Sequence, residues 1–214
     1  KLLGVHGTAV LTRIQDWLGH DRDFLRDTHG VILKDHLDNL RRALQLLDYT
    51  LSYGEFADKL RLNGAPLEDR ILNTVWFRIE QEFRFRPTVD LFERAVKHLA
   101  WSNAFHPVKD YLDALTWDGV PRIDTWLIDC AGVEDSPFVR AISSIMLIAA
   151  VRRVRHPGCK YDEMMVWESA VQGLEKSSAS RALCPCAEWF SDDLPLNLRA
   201  QQLIEATLGK WIIE

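Results

Sequence analysis

The chain has 214 residues, of which 47% are hydrophobic and 27% are charged, with a formal net charge of −5. This composition is that of an ordinary folded protein and excludes a disordered tail. The length suits one large domain or two small ones. No apolar run reaches the roughly 18 residues that a membrane span needs, and the first residues lack the features of a signal peptide. We therefore expect a cytoplasmic protein that does not contact a membrane.

The cysteines and histidines do not show the spacing of a metal site. Cys130 and Cys159 are isolated, and Cys184 and Cys186 form only a Cys-Pro-Cys sequence. A structural zinc site usually has paired Cys-x-x-Cys knuckles or a His pair at set spacing. We interpret the four thiols as reduced and as buried or incidental. His98 and His106 likewise have no third ligand at metal spacing.

The two ends of the sequence suggest that the chain is a fragment. It begins with Lys1, and it closes on an apolar run, Trp211 to Ile213, that ends in Glu214. Such a run is typical of a buried strand, and natural termini seldom fall in the middle of a sheet, because unpaired backbone groups are costly there. We expect further chain on both sides.

The first 155 residues predict mainly helices. Residues 1–32 carry weak signals, with one helix expected over Val10–Leu18. Residues 33–155 form a predicted helical module, in which apolar residues recur at steps of three and four. The recurring residues are Leu33, Leu37, Leu40, Leu44 and Leu47 in a first helix and Leu67, Ile71, Val75, Ile79 and Phe83 in a second. Leu51–Tyr53 is expected to be a short extended piece.

Capping residues define the later helices of this module. Thr88 is a predicted N-cap for a third helix through His98, and a fourth follows His106-Pro107 to about Leu115. The turn from Trp117 to Pro121 has Asp-Gly and Pro residues, which stop helices. Further helices are expected at Ile123–Asp129 and, after the N-cap Ser136 with Pro137 at the first helical position, through Arg155.

The pattern changes after residue 156. Met164–Trp167 is an apolar run short enough for a buried strand, Ser169–Glu175 reads as a loop, and a helix is expected from Lys176 through Leu183. A strand, a loop and a helix in this order are the setting of a phosphate-binding loop.

The loop departs from the usual pattern GxxxxGK[ST]. In that pattern the loop amides surround the phosphates, the Lys neutralises their charge and the hydroxyl holds magnesium. The corresponding residues are Ala170-Val171-Gln172-Gly173-Leu174-Glu175-Lys176-Ser177. The Lys-Ser pair and the length match, whereas both defining glycines are absent. On the pattern alone, the pair is also what an ordinary helix after a buried strand would show.

Further motifs in the sequence are similar to those of a known protein family. They are Asn103-Ala-Phe-His106-Pro-Val-Lys-Asp110-Tyr-Leu-Asp113, Leu115-Thr-Trp117-Asp-Gly-Val-Pro-Arg122-Ile-Asp-Thr-Trp126-Leu, Phe138-Val-Arg140-Ala, Glu188-Trp-Phe-Ser-Asp192-Asp-Leu-Pro195 and Gly209-Lys-Trp-Ile-Ile-Glu214. In this order they resemble the virulence-associated protein E family of phage and mobile-element P-loop ATPases. The resemblance is close over residues 101–214 and looser back to residue 33.

The resemblance implies a nucleotide site with Mg²⁺-bound ATP. Family members typically have Gly-Pro-Gln-Gly-x-Gly-Lys-Ser, so that Lys176 would bind the β- and γ-phosphates and Ser177 would bind Mg²⁺. The implied nucleotide-binding residues are Ala170, Val171, Gln172, Gly173, Leu174, Glu175, Lys176, Ser177 and Ser178. Glu214 occupies the place of the second ATPase motif and would be catalytic, polarising the attacking water or supporting Mg²⁺. An ordinary glutamate at the end of a strand is the competing interpretation.

Glu175 opposes nucleotide binding. Two like charges about 5 Å apart at an effective dielectric near 20 repel by roughly 3 kcal/mol, which is more than a hundredfold in affinity. Pairing with Lys176 or a turn toward solvent would soften this penalty. Weakened nucleotide binding therefore stays a live alternative.

The sequence thus predicts an α-rich, α+α/β protein: the helical module 33–155 and, over 156–214, the truncated beginning of a P-loop NTPase domain. The resemblance implies a helicase-like ATPase, similar to superfamily 3 and AAA+ proteins, that acts in phage or island DNA replication. Implied partners are origin DNA, a primase module and further copies of the chain. The alternatives are a catalytically inactive relative that serves as a replication scaffold, and a helical docking module over 33–155.

Three further sets of charged residues are weaker candidates for a functional site. Asp110 and Asp113 share a helix face, and Asp192 and Asp193 follow an aromatic pair in a predicted loop. The densest basic cluster consists of Arg152, Arg153, Arg155 and Lys160. It suits contact with phosphates, and it equally suits the dipole at the end of a helix. No interleaving of aromatic and basic residues indicates a stacking platform for single strands.

Overall fold

The computed structural model describes residues 24–168, 176–195 and 197–214. The expected helix Val10–Leu18 and the loop residues Ala170–Glu175 lie outside these ranges. The helices are α1 (Leu37–Leu46), α2 (Asp69–Phe83), α3 (Val89–Trp101), α4 (Pro107–Ala114), α5 (Trp126–Ala131), α6 (Pro137–Arg155), α7 (Lys176–Ala182) and α8 (Ala200–Thr207). The strands are β1 (Leu51–Gly54), β2 (Lys59–Leu62), β3 (Ala65–Pro66), β4 (Ala104–Phe105), β5 (Phe190–Ser191) and β6 (Ile212–Ile213). The protein is helix-rich with a small mixed sheet.

The described chain divides into two compact units. The first comprises 24–55 and 59–105, and the second comprises Phe56–Asp58 and His106–Glu214. The loop between β1 and β2 therefore belongs to the second unit, although both strands belong to the first. No helix among the described residues is long and apolar enough to cross a membrane.

Helices α1, α2 and α3 supply the core of the first unit. The spacing of three and four residues predicted these helices, and it is confirmed: Leu40 in α1, Ile79 in α2 and Phe92 in α3 are each at most 2% exposed. Thr88 is the N-cap of α3, as predicted. Each helix therefore buries one apolar stripe and turns its charged side to solvent.

A four-stranded mixed sheet completes this unit, in the order β3-β2-β1-β4. The sequence predicted only an extended piece at Leu51–Tyr53, which is now β1. Asn63 and Gly64, which adopt positive φ angles of 49° and 82°, form the turn between β2 and β3. Asn63 Oδ1 also accepts a hydrogen bond from the backbone N of Thr50 at 2.7 Å, so the turn is tied to the start of β1.

The longest helix of the second unit is α6. Its start was predicted correctly: Ser136 Oγ accepts a hydrogen bond from the backbone N of Val139 at 3.2 Å, and Pro137 occupies the first turn. A side chain from α5 fixes its middle, since Trp126 Nε1 donates to the carbonyl oxygen of Ser143 at 3.0 Å.

The predicted buried strand Met164–Trp167 is wrong. These residues have no strand conformation, and Met164 and Val166 are 84% and 68% exposed. A short apolar run becomes a strand only where another strand accepts its backbone hydrogen bonds, and none is paired with it in the described chain. The run instead lines an apolar groove along α6, together with Phe138 and Ile142.

Candidate functional site

The beginning of α7 lies next to the end of β6. Ser177, in the first turn of α7, donates a hydrogen bond from its Oγ to Oε1 of Glu214 at 2.7 Å. Both side chains are exposed. The motif's hydroxyl and the strand-end carboxylate, which are 37 residues apart in sequence, therefore meet at one point.

A parallel strand pair holds Glu214 in this place. Phe190 of β5 is opposite Ile212 of β6, and Ser191 is opposite Ile213. The backbone N of Glu214 continues the ladder by donating to the carbonyl oxygen of Ser191 at 2.8 Å. Because the strands are parallel, the residues that follow them leave the sheet at the same edge, so Asp192 and Glu214 both lie at that edge.

An aromatic cluster packs beside the pair. Trp189 and Trp211 stack edge to face with ring centroids 6.2 Å apart, and Tyr111 of α4 lies 6.0 Å from Trp189 and 6.3 Å from Trp211. Phe56 adds a fourth ring, 6.1 Å from Trp189. Such tilted pairs add about 0.5–1.5 kcal/mol each beyond the apolar area that they bury. The strand that carries Glu214 is thus anchored by packing as well as by its short ladder.

Polar contacts tie the neighbouring loops to β5. Lys210 Nζ donates to the carbonyl oxygens of Glu188 and Phe190 at 2.9 and 3.2 Å. Arg181 of α7 lies over the Phe190 ring, 5.3 Å from its centroid, and reaches Asp192 at 3.5 Å. Sequence reasoning missed this link between α7 and the sheet edge. The one signal for it in the sequence was the acidic pair Asp192-Asp193 shortly after the aromatic pair Trp189-Phe190.

The thiol of Cys184 is buried between α7 and the strands. Burial raises its pKa above the ordinary 9.0, although a hydrogen bond with the backbone of Ile212 acts in the opposite direction. The neutral thiol therefore persists across the physiological range. The other three cysteines are free and less buried.

The predicted nucleotide-binding residues are only partly described. Ala170, Val171, Gln172, Gly173, Leu174 and Glu175 lie outside the described residues. Lys176 is half-buried at the start of α7, while Ser177 and Ser178 are exposed.

The weaker candidates have structural roles. His106 is the N-cap of α4, where its Nδ1 accepts from the backbone N of Lys109 at 3.3 Å. Asp113 forms an ion pair with Arg155 at 2.6 Å. Among the residues that the structure describes, no group of three or more His, Cys, Asp or Glu side chains is arranged to hold a metal ion.

The turn between α4 and α5 is held by a bidentate ion pair. Arg122 donates to both carboxylate oxygens of Asp118, at 3.0 and 2.8 Å. These hydrogen bonds, with one from the backbone N of Val120, lower the pKa of Asp118 from 3.8 to about 2. The turn presents Trp117 to solvent with 76% of its surface exposed.

Residues 112–214 match the family model of the virulence-associated protein E-like domain. The matched segment contains Ser177, Glu214, the parallel strands and two residues of the aromatic cluster, Trp189 and Trp211. Over this part of the chain, the match supports the virulence-associated protein E family. A comparison with curated proteins gave no match.

Proposed function

We propose that the second unit binds Mg²⁺-ATP and hydrolyses it in the replication of phage or mobile-element DNA. The observation that carries the proposal is the 2.7 Å hydrogen bond between Ser177 Oγ and Glu214 Oε1. A P-loop site needs its Mg²⁺-binding hydroxyl and its strand-end acid at one point, and the contact between Ser177 and Glu214 supports such an arrangement.

The donor set suits Mg²⁺. A hydroxyl oxygen and a carboxylate oxygen are hard ligands of the kind this ion prefers, and Mg²⁺ usually takes only one or two protein ligands together with phosphates and waters. The Ser177 oxygen would therefore suffice as the protein ligand of the ion, which leaves Glu214 for the attacking water. The ion would offset the negative charge of the phosphates.

The charges near the site have separable roles in this proposal. Lys176 precedes Ser177 on α7 and would bind the β- and γ-phosphates. Glu214 would orient the attacking water. Arg181 and Lys210 are engaged by Asp192 and by backbone carbonyl oxygens, which leaves Lys176 as the cation for the phosphates.

A Mg²⁺-ATP titration of the 214-residue chain by calorimetry tests the proposal. Lys176→Ala should weaken binding by about tenfold or more, because it removes charge-assisted contacts to phosphate. Lys97→Ala, the same exchange at an exposed position of α3, is the control and should leave binding unchanged. Equal affinities for the wild type and Lys176→Ala would contradict the proposal.

The second candidate function is a scaffold without nucleotide binding, which the carboxylate at position 175 favours. Glu175→Gly decides between the two. If the wild type does not bind ATP and Glu175→Gly does, the site has been switched off by that residue and the scaffold is correct. If both bind, the ATPase is the better description.

A further inference from the structure

A second concave site lies at the C-terminal half of α6, where the helix meets residues 159–163. It encloses about 260 Å³. Its lining has an aliphatic part, formed by Ile145 and Ile148, and a cationic part, formed by Arg152, Arg153 and Lys160, with Tyr161 beside them. None of these residues takes part in the Ser177–Glu214 site.

Helical spacing produces the division between the two parts. Ile145, Ile148 and Arg152 are three and four residues apart, so they follow one another along one face of α6. Ile145 and Ile148 are 50% and 53% exposed. This face of α6 therefore has an exposed aliphatic surface next to the guanidinium groups.

The charges on this face are unevenly neutralised. In the described part of the chain, no carboxylate lies within ion-pair distance of Arg152. Arg153 donates to a neutral acceptor, the carbonyl oxygen of Cys159, at 3.1 Å. Lys160, in contrast, pairs with Asp162 at 2.8 Å. The positive charges of Arg152 and Arg153 are therefore not offset by a described carboxylate, and they lie beside the apolar part of the pocket.

The acid in the lining is directed to the backbone. Glu163 Oε2 accepts a hydrogen bond from the backbone N of Asp162 at 3.1 Å. In the described residues, no ion pair joins Glu163 to Arg152 or Arg153. A ligand with a negative group near Arg152 and a flat apolar group over the isoleucines would complement this surface.

We propose that the pocket binds one nucleotide unit of a nucleic acid, with its phosphate on Arg152 and Arg153 and its base over Ile145 and Ile148 beside Tyr161. Cationic grooves with aromatic side chains are the usual means of holding single strands. The pocket falls just below the roughly 300–1,000 Å³ typical of sites for drug-sized ligands, so it would hold no more than one unit. Tyr161 is nine residues from Arg152 in sequence, and only the end of α6 brings the two together.

Fluorescence anisotropy of a labelled oligothymidylate, titrated with the 214-residue chain, tests the proposal. Arg152→Ala should weaken binding about tenfold, since it removes a charge-assisted phosphate contact. It should also reduce the slope of log Kd against log salt by about 1. Tyr161→Leu should weaken binding with little change in that slope.

Arg155→Ala is the matched control. It removes the same charge from the same helix end, but Arg155 is held by Asp113 and does not line the pocket. Its Kd should stay within about twofold of the wild type, because Asp113 already offsets the charge of Arg155 and its side chain does not reach the pocket. Equal losses in Arg152→Ala and Arg155→Ala, or no binding by the wild type, would overturn the proposal. An unchanged Kd with a lowered melting temperature in Arg152→Ala would also overturn it, because the arginine would then serve only the helix end.

A competition experiment distinguishes a polynucleotide from a free nucleotide. It uses Lys176→Ala, so that the proposed ATP site does not contribute. Displacement of the oligothymidylate by AMP would assign the pocket to nucleotides in general. Tight binding without displacement would assign it to strands. Oligothymidylate binding by a Lys176→Ala chain that no longer binds ATP would show that the two sites are independent.

Discussion

Trp211, which directly precedes β6, reaches the C-terminal half of α6, where its indole Nε1 donates a hydrogen bond of 3.0 Å to the carbonyl oxygen of Ala150. The same ring packs against Trp189 and Tyr111. One side chain therefore couples the strand that carries Glu214 to the longest helix of the unit.

Trp211→Phe tests the hydrogen bond, because it removes the donor and keeps an aromatic ring in the cluster. We expect a loss of about 1 kcal/mol in the free energy of unfolding, the usual net value of one such bond. Urea denaturation followed by circular dichroism measures it. Trp117→Phe is the control: the indole of Trp117 donates to the carbonyl oxygen of Val120 at 3.3 Å, but it is 76% exposed and competes with water, so stability should change by less than about 0.5 kcal/mol. Equal losses in the two variants would show that the bond to Ala150 does not contribute.

Glu214→Gln separates binding from hydrolysis if the proposed function is correct. The amide keeps the size of the side chain and can still accept from Ser177, so ATP affinity should change little. Hydrolysis should fall by about 10²–10⁴-fold, the usual contribution of a positioned base. Phosphate release and ATP titration measure the two quantities. A variant that hydrolyses ATP at the wild-type rate would restore the ordinary strand-end glutamate as the correct interpretation.

Asn39 should be the most sensitive polar position of the first unit. It is 1% exposed, and its amide forms three hydrogen bonds, two with the backbone of Leu25 and one with the carbonyl oxygen of Leu33. Asn39→Ala leaves these groups without partners and should cost about 3 kcal/mol, at about 1 kcal/mol for each bond. Thermal and urea unfolding measure it.

The comparison for Asn39 is Asp38→Ala on the preceding position of α1. Asp38 is exposed and pairs with Arg41 at 2.6 Å, and such surface pairs contribute about 0–1 kcal/mol. If both variants lose the same stability, the buried amide does not hold residues 25–33 in place.

The ion pair between Asp118 and Arg122 predicts a pH dependence. The folded pKa of Asp118, about 2, lies below the ordinary 3.8. The ionised carboxylate is therefore favoured in the fold, and its contribution is complete above pH 3.8 and is lost as the pH falls through 2. Carboxyl chemical shifts in an NMR titration should show a midpoint for Asp118 near 2. Arg122→Gln should move this midpoint up toward 3.8, and a midpoint that stays near 2 in that variant would exclude the guanidinium as its cause.

Local patterns predicted the helices because a helix needs only its own residues to form its hydrogen bonds. The apolar stripe through Leu40 lies within the helix that it predicts, and the N-cap Ser136 directly precedes its helix, so both signals are local in sequence. The first sheet was missed for the opposite reason. Its strand β1 pairs in parallel with β4, at Tyr53 opposite Ala104, and no local pattern reports a partner so distant in sequence. The sequence Asn63-Gly64 is typical of a two-residue hairpin turn, and it was overlooked.

The candidate site, like the fold, could be predicted from the sequence only where its signals are local. The Lys-Ser pair and the acid at the end of an apolar run are visible in the sequence. The apolar run contains strand β6 (Ile212–Ile213), but this strand is not buried as predicted, since Ile213 is exposed. The meeting of Ser177 and Glu214 at 2.7 Å depends on the parallel register of β5 and β6, which only the fold provides. The strand expected at Met164–Trp167 failed because hydrophobicity alone does not supply a pairing partner.

The loop Phe56–Asp58 makes the second unit discontinuous in sequence. Phe56 packs against Trp189 and His106, and its carbonyl oxygen accepts from the backbone N of Gly209 at 2.9 Å. A gene fragment that starts at residue 106 would encode almost the whole unit and still omit this tripeptide. Recombination at residue 106 would therefore transfer a second unit that lacks these three residues. An intact second unit is transferred only if the β1–β2 hairpin is transferred with it.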